Sequence, residues 1–91
     1  MEVVVKAYGL LRERIGRDEL KLNLSDSTNL RQLFRVLGDR CGWDIEKLVL
    51  TTDGDLDPGV LVSHNGVQVT SADAPLGAGD VILFLSPMPG G

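Results

Sequence analysis

A chain of 91 residues with a net charge of -4 has room for one small domain and not for two. Its nine Lys and Arg residues are scattered, which argues against a phosphate-binding surface, so we expect no direct nucleic-acid partner. The single cysteine, Cys41, excludes an internal disulfide and any zinc or iron–sulfur site that needs several thiolates. We therefore expect no bound metal or cofactor.

The location of the protein is predicted from two features of the sequence. No apolar run approaches the ~20 residues that cross a bilayer, so we expect no membrane partner. The first ten residues, MEVVVKAYGL, lack a basic leader and a small-residue cleavage site. A cytoplasmic protein is therefore expected.

The first quarter of the chain predicts two strands joined by a helical turn. Residues 2–7 (EVVVKA) are rich in β-branched side chains and apolar on both faces, which is typical of a central strand. Residues 19–24 alternate leucine with polar residues, which predicts a second strand. The segment between them is too long for a two-residue turn and predicts a helical turn that closes at Gly16.

The next segment predicts the main helix. Asn29 is a good N-cap, and Gln32 stands where a capping box needs it. Gly38 and Gly42 are the candidate ends, and Cys41 continues the apolar face as a small buried residue if the helix extends that far. The apolar face itself is formed by residues at helical spacing: Leu30, Leu33, Phe34 and Leu37.

The second half of the chain predicts a loop region, a hairpin and a last strand. Residues 43–59 should form a short helical or irregular piece and then a polar loop, with Trp43 anchoring the loop to the core. Residues 60–64 and 67–69 flank Asn65–Gly66, which is a strong signal for a tight hairpin turn. Residues 81–85 (VILFL) are continuously apolar, as expected of a central strand.

The order of these elements indicates the architecture. The first and last strands are the most apolar, so we expect them to be adjacent and parallel, with the helix in a right-handed crossover between them. This is an α+β, ubiquitin-like β-grasp over residues 1–85: a mixed five-strand sheet with one main helix packed across it, followed by an extended Gly-Gly tail at 86–91. The predicted shared core comprises Val3, Val5, Leu33, Phe34, Leu37 and Leu83.

His64 is the only histidine, and no cysteine or carboxylate stands at motif spacing from it. A position on the sheet is therefore expected, rather than a catalytic role. The sequence shows neither a nucleophile–base pair nor a metal cluster, so no catalytic residue is predicted and the protein is interpreted as a carrier or substrate protein rather than an enzyme.

Several motifs resemble those of one family, the ubiquitin-like sulfur carriers. The loop LLRERIG, the hairpin GVLVSHNGVQV and the ending LGAGDVILFLSPMPGG are similar to those of the molybdopterin synthase small subunit and the thiamine-pathway carrier superfamily. The stretches PGVLV and ILFLS also resemble the ubiquitin-related modifier and the archaeal small modifiers. This chain departs from the small-subunit pattern at Ser86–Pro87, where a Pro-Pro pair is usual, and adds Pro89.

The resemblance implies that chemistry takes place at the C-terminal carboxylate of Gly91. An E1-like activating enzyme would use ATP to adenylate it, and conversion to a thiocarboxylate would make it a sulfur donor. The expected recipient is molybdopterin (molybdenum/tungsten cofactor) biosynthesis, with the molybdopterin synthase large subunit as partner. The alternatives are conjugation to lysines of target proteins and sulfur donation for tRNA thiolation. An alternative of another class is a plain β-grasp binding module with an inert tail.

The composition of the tail suits this chemistry. Gly90 and Gly91 lack a Cβ and fit a narrow channel, while Pro87 and Pro89 favour an extended chain and lower the entropy lost on threading. At ~3.3 Å per residue the tail reaches about 20 Å.

Three further residues are predicted to contact partners. The resemblance implies that Tyr8 and Arg12 contact the catalytic subunit or the activating enzyme. Phe84 lies two residues before the tail and is predicted to contact a partner as well.

Overall fold

The structure, a computed structural model, describes residues 1–16, 18–42 and 44–85, with only the backbone of Leu10, Leu11 and Arg14. The predictions for Trp43 and for the tail, residues 86–91, fall outside this part of the chain.

The described elements form one five-stranded sheet crossed by a helix. In chain order the elements are β1 (Glu2–Tyr8), α1 (Leu10–Ile15), β2 (Glu19–Asn23), α2 (Leu30–Cys41), α3 (Ile45–Val49), β3 (Leu61–His64), β4 (Val67–Gln68) and β5 (Val81–Leu85). The strands of the sheet run in the order β2-β1-β5-β3-β4; β1 and β5 are parallel, and the other neighbours are antiparallel. This confirms the predicted β-grasp, with α2 as its main helix.

The ends of α2 follow from local sequence chemistry. The Asn29 side chain accepts a hydrogen bond from the Gln32 backbone N–H at 2.9 Å, and the Gln32 side chain accepts one from the Asn29 N–H at 2.9 Å, so the capping box is confirmed. The helix ends at Gly42 in the left-handed conformation (φ 72°), and Gly38 lies within it. Cys41 is half-buried against the core, and burial raises the pKa of its thiol despite the neighbouring positive charge of Arg40.

The core lies between α2 and one face of the sheet. The rings of Phe34 and Phe84 pack with their centroids 5.3 Å apart at a tilt of 55°, and both side chains are fully buried. The prediction that Leu83 belongs to this core is wrong, since Ile82 and Phe84 occupy the core positions of β5 and Leu83 lies on the opposite face. Side chains alternate along a strand, and a strand that is apolar throughout does not reveal which alternate set is buried.

The hairpin between β3 and β4 is fastened to the start of β5. Asn65 and Gly66 both have positive φ (53° and 85°), which confirms the predicted tight turn. The Asp80 carboxylate accepts hydrogen bonds from Asn65 Nδ2 (3.0 Å) and the Gly77 N–H (2.7 Å), and its Oδ2 lies 2.5 Å from His64 Nε2. Asp80 is the carboxylate partner of His64 that sequence spacing did not reveal.

Candidate functional site

The candidate site begins where β5 ends. Leu85 is the last described residue, and it is paired with Tyr8 of β1 on one side and Leu61 of β3 on the other. Residues directly opposite one another on neighbouring strands project to the same face of a sheet. Because the adjacent Phe84 packs beneath α2, this row of three side chains lies on the face away from the helix. We call Tyr8, Leu85 and Leu61 the tail-root row.

The tail-root row is unusually exposed for large apolar side chains. Tyr8, Leu85 and Leu61 expose 41%, 48% and 39% of their surface. Below the row, the half-buried Val4, Val81 and Leu83 extend the apolar surface along β1 and β5. Together with Lys6 these residues form what we call the open face: Val4, Lys6, Tyr8, Leu61, Val81, Leu83 and Leu85.

Polar residues border the open face on both sides. Glu19 and Lys21 of β2 lie along one margin, while Ser63 of β3 and Gln68 of β4 lie along the other. An apolar centre with a polar rim is the usual anatomy of a protein–protein interface. The arrangement therefore suits a partner protein that approaches the domain at the root of the tail.

The segment after β1 forms the predicted helical turn. It is closed by Gly16, whose φ of 86° is left-handed and whose N–H bonds to the Arg12 carbonyl at 2.9 Å. The side chains of Arg12 and Tyr8 are exposed, with Tyr8 in the tail-root row. Their contacts with a partner stay predictions.

The predicted partner contact of Phe84 is wrong. Its side chain is fully buried and packs against Phe34, so it offers no surface to a second protein. Leu85 holds the exposed position instead, because the neighbouring residue on a strand faces the other way. Leu61 and Leu85 are the members of the row that the sequence analysis missed. They are brought together by the register of β3 against β5, which the hairpin signal at Asn65–Gly66 does not specify.

The four tail residues with predicted roles, Gly91, Gly90, Pro89 and Pro87, lie outside the described residues. Their threading and activation therefore stay predictions. Leu85 marks the place on the domain from which the tail continues.

Two features are absent from residues 1–16, 18–42 and 44–85. Within those ranges, no group of three or more His, Cys, Asp or Glu side chains is arranged to hold a metal ion. In the same part of the chain, no helix has the length and apolarity needed to span a membrane.

The sheet order, the crossing helix and the site at the end of a central strand define the class of ubiquitin-like β-grasp proteins. A comparison with protein families matches residues 5–91 to the ThiS family. The chain belongs to this family, which groups it with ubiquitin-like sulfur carriers and modifiers.

Solved structures agree with this assignment. The chain is similar to SAMP1 from Haloferax volcanii, with a TM-score of 0.80 and 21% identity over 100% of both chains. It is similar to a putative molybdopterin converting factor subunit 1 from Pyrococcus furiosus (TM-score 0.75, 26% identity), covering 96% of this chain and 98% of that one. Urm1 from Trypanosoma brucei has a TM-score of 0.74 and 26% identity, with 99% of this chain and 95% of that one covered. A search of curated proteins finds no significant match.

Proposed function

We propose that this protein is a sulfur carrier whose Gly91 carboxylate is activated and converted to a thiocarboxylate. The observation that carries the proposal is the family match over residues 5–91, which includes the Gly-Gly tail as well as the folded domain. The protein acts as a carrier and not as a catalyst, and the ATP that the reaction consumes is bound by the activating enzyme.

The proposed chemistry has two steps. The Gly91 carboxylate attacks the α-phosphate of ATP, so that an acyl–AMP mixed anhydride forms and pyrophosphate leaves. A sulfide-level nucleophile then attacks the acyl carbon, the bond to AMP breaks, and a thiocarboxylate remains. Activation is needed because the charge of a free carboxylate is delocalised, which makes its carbon a poor electrophile.

The open face supports this role through its position. A partner that covers Tyr8, Leu85 and Leu61 sits directly at the root of the tail. The tail then has about 20 Å of reach into that partner when extended. We propose that the E1-like activating enzyme docks on this face, with Tyr8 and Arg12 among its contacts.

We propose molybdopterin biosynthesis as the pathway that receives the sulfur. The similarity to the Pyrococcus furiosus protein named as a putative molybdopterin converting factor subunit 1 supports this choice. In this pathway the second partner is the molybdopterin synthase large subunit. Co-purification of that subunit with the carrier is the expected result.

A second candidate function is protein modification through the same activated intermediate, or sulfur donation to tRNA. It is favoured by the similarity to Urm1, at 26% identity. Conjugation replaces the sulfur nucleophile with a lysine amine, which yields an isopeptide bond to a target protein. Immunoblots of cell extracts separate conjugation from sulfur donation, because only conjugation produces a ladder of heavier species.

The test is mass spectrometry of the chain ending at Gly91 after incubation with ATP, the cognate activating enzyme and a sulfide donor. We expect a gain of about 16 Da confined to the C-terminal residue, from exchange of one oxygen for sulfur. Replacing Gly90 with Trp should block the gain, since a bulky side chain is excluded from a narrow channel. Arg12→Ala should slow it if Arg12 contacts the enzyme.

Deletion of Gly90 and Gly91 provides the most decisive variant for this test. It leaves a terminal carboxylate on Pro89 but shortens the tail that must reach the enzyme's active site. We expect no mass gain and nearly unchanged thermal unfolding, since a terminus contributes few packed contacts. Gly91→Ala is the matched control, which keeps the length and a small last residue and should still be activated. A truncated protein that still supports its pathway in cells would leave the plain binding module as the surviving interpretation.

A further inference from the structure

Lys6 is the single charged residue among the described residues of the open face. On β1 it lies between Val4 and Tyr8 on the same face, and its partner on β5 is Leu83. Its partner on β2 is Glu19, at the polar margin. Its positive charge therefore has apolar neighbours on three sides and the polar margin on the fourth.

Lys6 is half-buried, whereas Lys21 and Lys47 are exposed. Among the described residues, no carboxylate oxygen lies within 4.0 Å of its ammonium group, and Glu19 forms no ion pair with it. No fully buried side-chain nitrogen or oxygen in the described part of the chain lacks a partner. The ammonium group of Lys6 is therefore in contact with water while its methylene stem packs along the sheet.

A protein that covers the open face removes this water. An ammonium group that loses its hydration without gaining a partner opposes binding strongly. A surface that binds here must therefore supply an acceptor at the position of Lys6, and a carboxylate is the acceptor that best offsets the lost hydration. The overall charge of the protein is -4, so its long-range field does not itself attract an acidic partner.

We propose that Lys6 determines specificity for the activating enzyme by contacting a carboxylate of that enzyme. On the enzyme, this carboxylate lies within an otherwise apolar docking surface. This inference rests on the proposed function and adds the chemistry of the partner surface to it. Lys6 acts in recognition alone, because the reacting carboxylate of Gly91 is at the far end of the tail.

The experiment measures steady-state activation by the cognate enzyme for four variants. Lys6→Glu should raise KM about 30-fold or more while kcat stays within about twofold, because recognition is lost and the chemistry is unchanged. Lys6→Met keeps the apolar stem but leaves the enzyme's carboxylate unpaired, so KM should rise about tenfold. Lys6→Arg keeps the charge and should stay within about threefold of wild type.

Lys21→Glu is the matched control. Lys21 lies on β2 opposite Val4, at the margin of the same face, and its reversal changes the net charge by the same amount. Its KM should stay within about threefold of wild type, since exposed rim charges contribute little to affinity. Circular dichroism melting of each variant establishes that the fold is intact. If Lys6→Glu unfolds, the Lys6→Met result decides the question.

Three results would overturn the inference. Equal or tighter binding of Lys6→Met would mean that the docking surface is purely apolar. An equal rise in KM for Lys21→Glu would mean that a long-range field, not a contact, is being measured. Absence of any mass gain in the wild-type chain would overturn the proposed function and this inference together, whereas the first two results leave the proposed function intact.

Discussion

The two faces of β5 have the same kind of side chain and opposite surroundings. Ile82 and Phe84 face α2 and are fully buried, whereas Leu85, on the open face, exposes 48% of its surface. Val81 and Leu83, also on the open face, are half-buried. Apolar composition alone therefore does not separate residues that stabilise the fold from residues that remain available to a partner. The separation is made by what packs over each face, which is α2 on one side and, as we propose, a second protein on the other.

The largest effect should come from the helix side of this comparison. Phe34→Ala removes a fully buried ring that packs on Phe84 and should lower the free energy of unfolding by about 3–5 kcal/mol. Denaturant unfolding measures the loss. Val36→Ala is the control on the same helix, at a residue that is 38% exposed, and should change stability by about 0.5 kcal/mol or less. A loss below about 1 kcal/mol for Phe34→Ala would mean that the buried face of α2 is wrongly assigned.

An intermediate effect is expected where the hairpin is tied to β5. Asp80→Asn replaces a carboxylate that accepts several hydrogen bonds with an amide whose NH2 group must face another hydrogen-bond donor. The substitution should lower the free energy of unfolding by about 1–3 kcal/mol. Asp73→Asn is the matched control, because Asp73 is 70% exposed and its ion pair with Arg31 should contribute about 0–1 kcal/mol. Equal losses for the two variants would contradict a special role for Asp80.

This contribution of Asp80 should depend on pH. Burial opposes ionisation, but hydrogen bonds from Asn65, His64 and the Gly77 N–H outweigh it and hold the pKa of Asp80 below its ordinary value. A carboxylate with a lowered pKa in the folded state contributes stability that is complete above the ordinary aspartate pKa. That stability is lost as pH falls through the lowered pKa. The difference in unfolding free energy between wild type and Asp80→Asn should therefore narrow in acid. A constant difference would contradict the lowered pKa.

The smallest effect on stability, and the clearest effect on function, should come from the open face. Leu85→Ala removes a half-exposed side chain and should cost about 1 kcal/mol or less in unfolding free energy. Activation of the tail should nevertheless fall about tenfold, through KM, because the same side chain is proposed to be covered by the enzyme. Val36→Ala should leave activation unchanged. Equal activation of wild type and Leu85→Ala would place the docking surface elsewhere.

The parts of the fold that follow from nearby residues were predictable from the sequence. The capping box of Asn29 and Gln32, the positive φ of Asn65 and Gly66, and the end of α2 at Gly42 all depend on a few consecutive residues. The parallel pairing of β1 and β5 was predictable because both strands are apolar on both faces and so belong in the centre of the sheet.

Other features depend on how distant segments meet. The contact of His64 with Asp80 spans 16 residues and depends on the hairpin register and the turn before β5, so no motif spacing predicts it. The same reason explains why the predictions of Leu83 as a core residue and of Phe84 as a partner contact are wrong. An all-apolar strand does not specify which of its faces the helix covers. Of the three residues of the tail-root row, the sequence identifies Tyr8 but not Leu85 beside it or Leu61 beyond Leu85.

The place from which the tail leaves the domain has a mechanical consequence. β5 is held between two neighbours, and it is parallel to β1, whose first residue lies near the N-terminus. A pull on the tail against the N-terminus therefore acts along both strands in opposite directions and shears them. In shear, the ladder hydrogen bonds between β1 and β5 bear the load together, whereas in peeling they would break one after another. A tail drawn into the active site of another protein can thus be held under tension while the domain behind it stays folded.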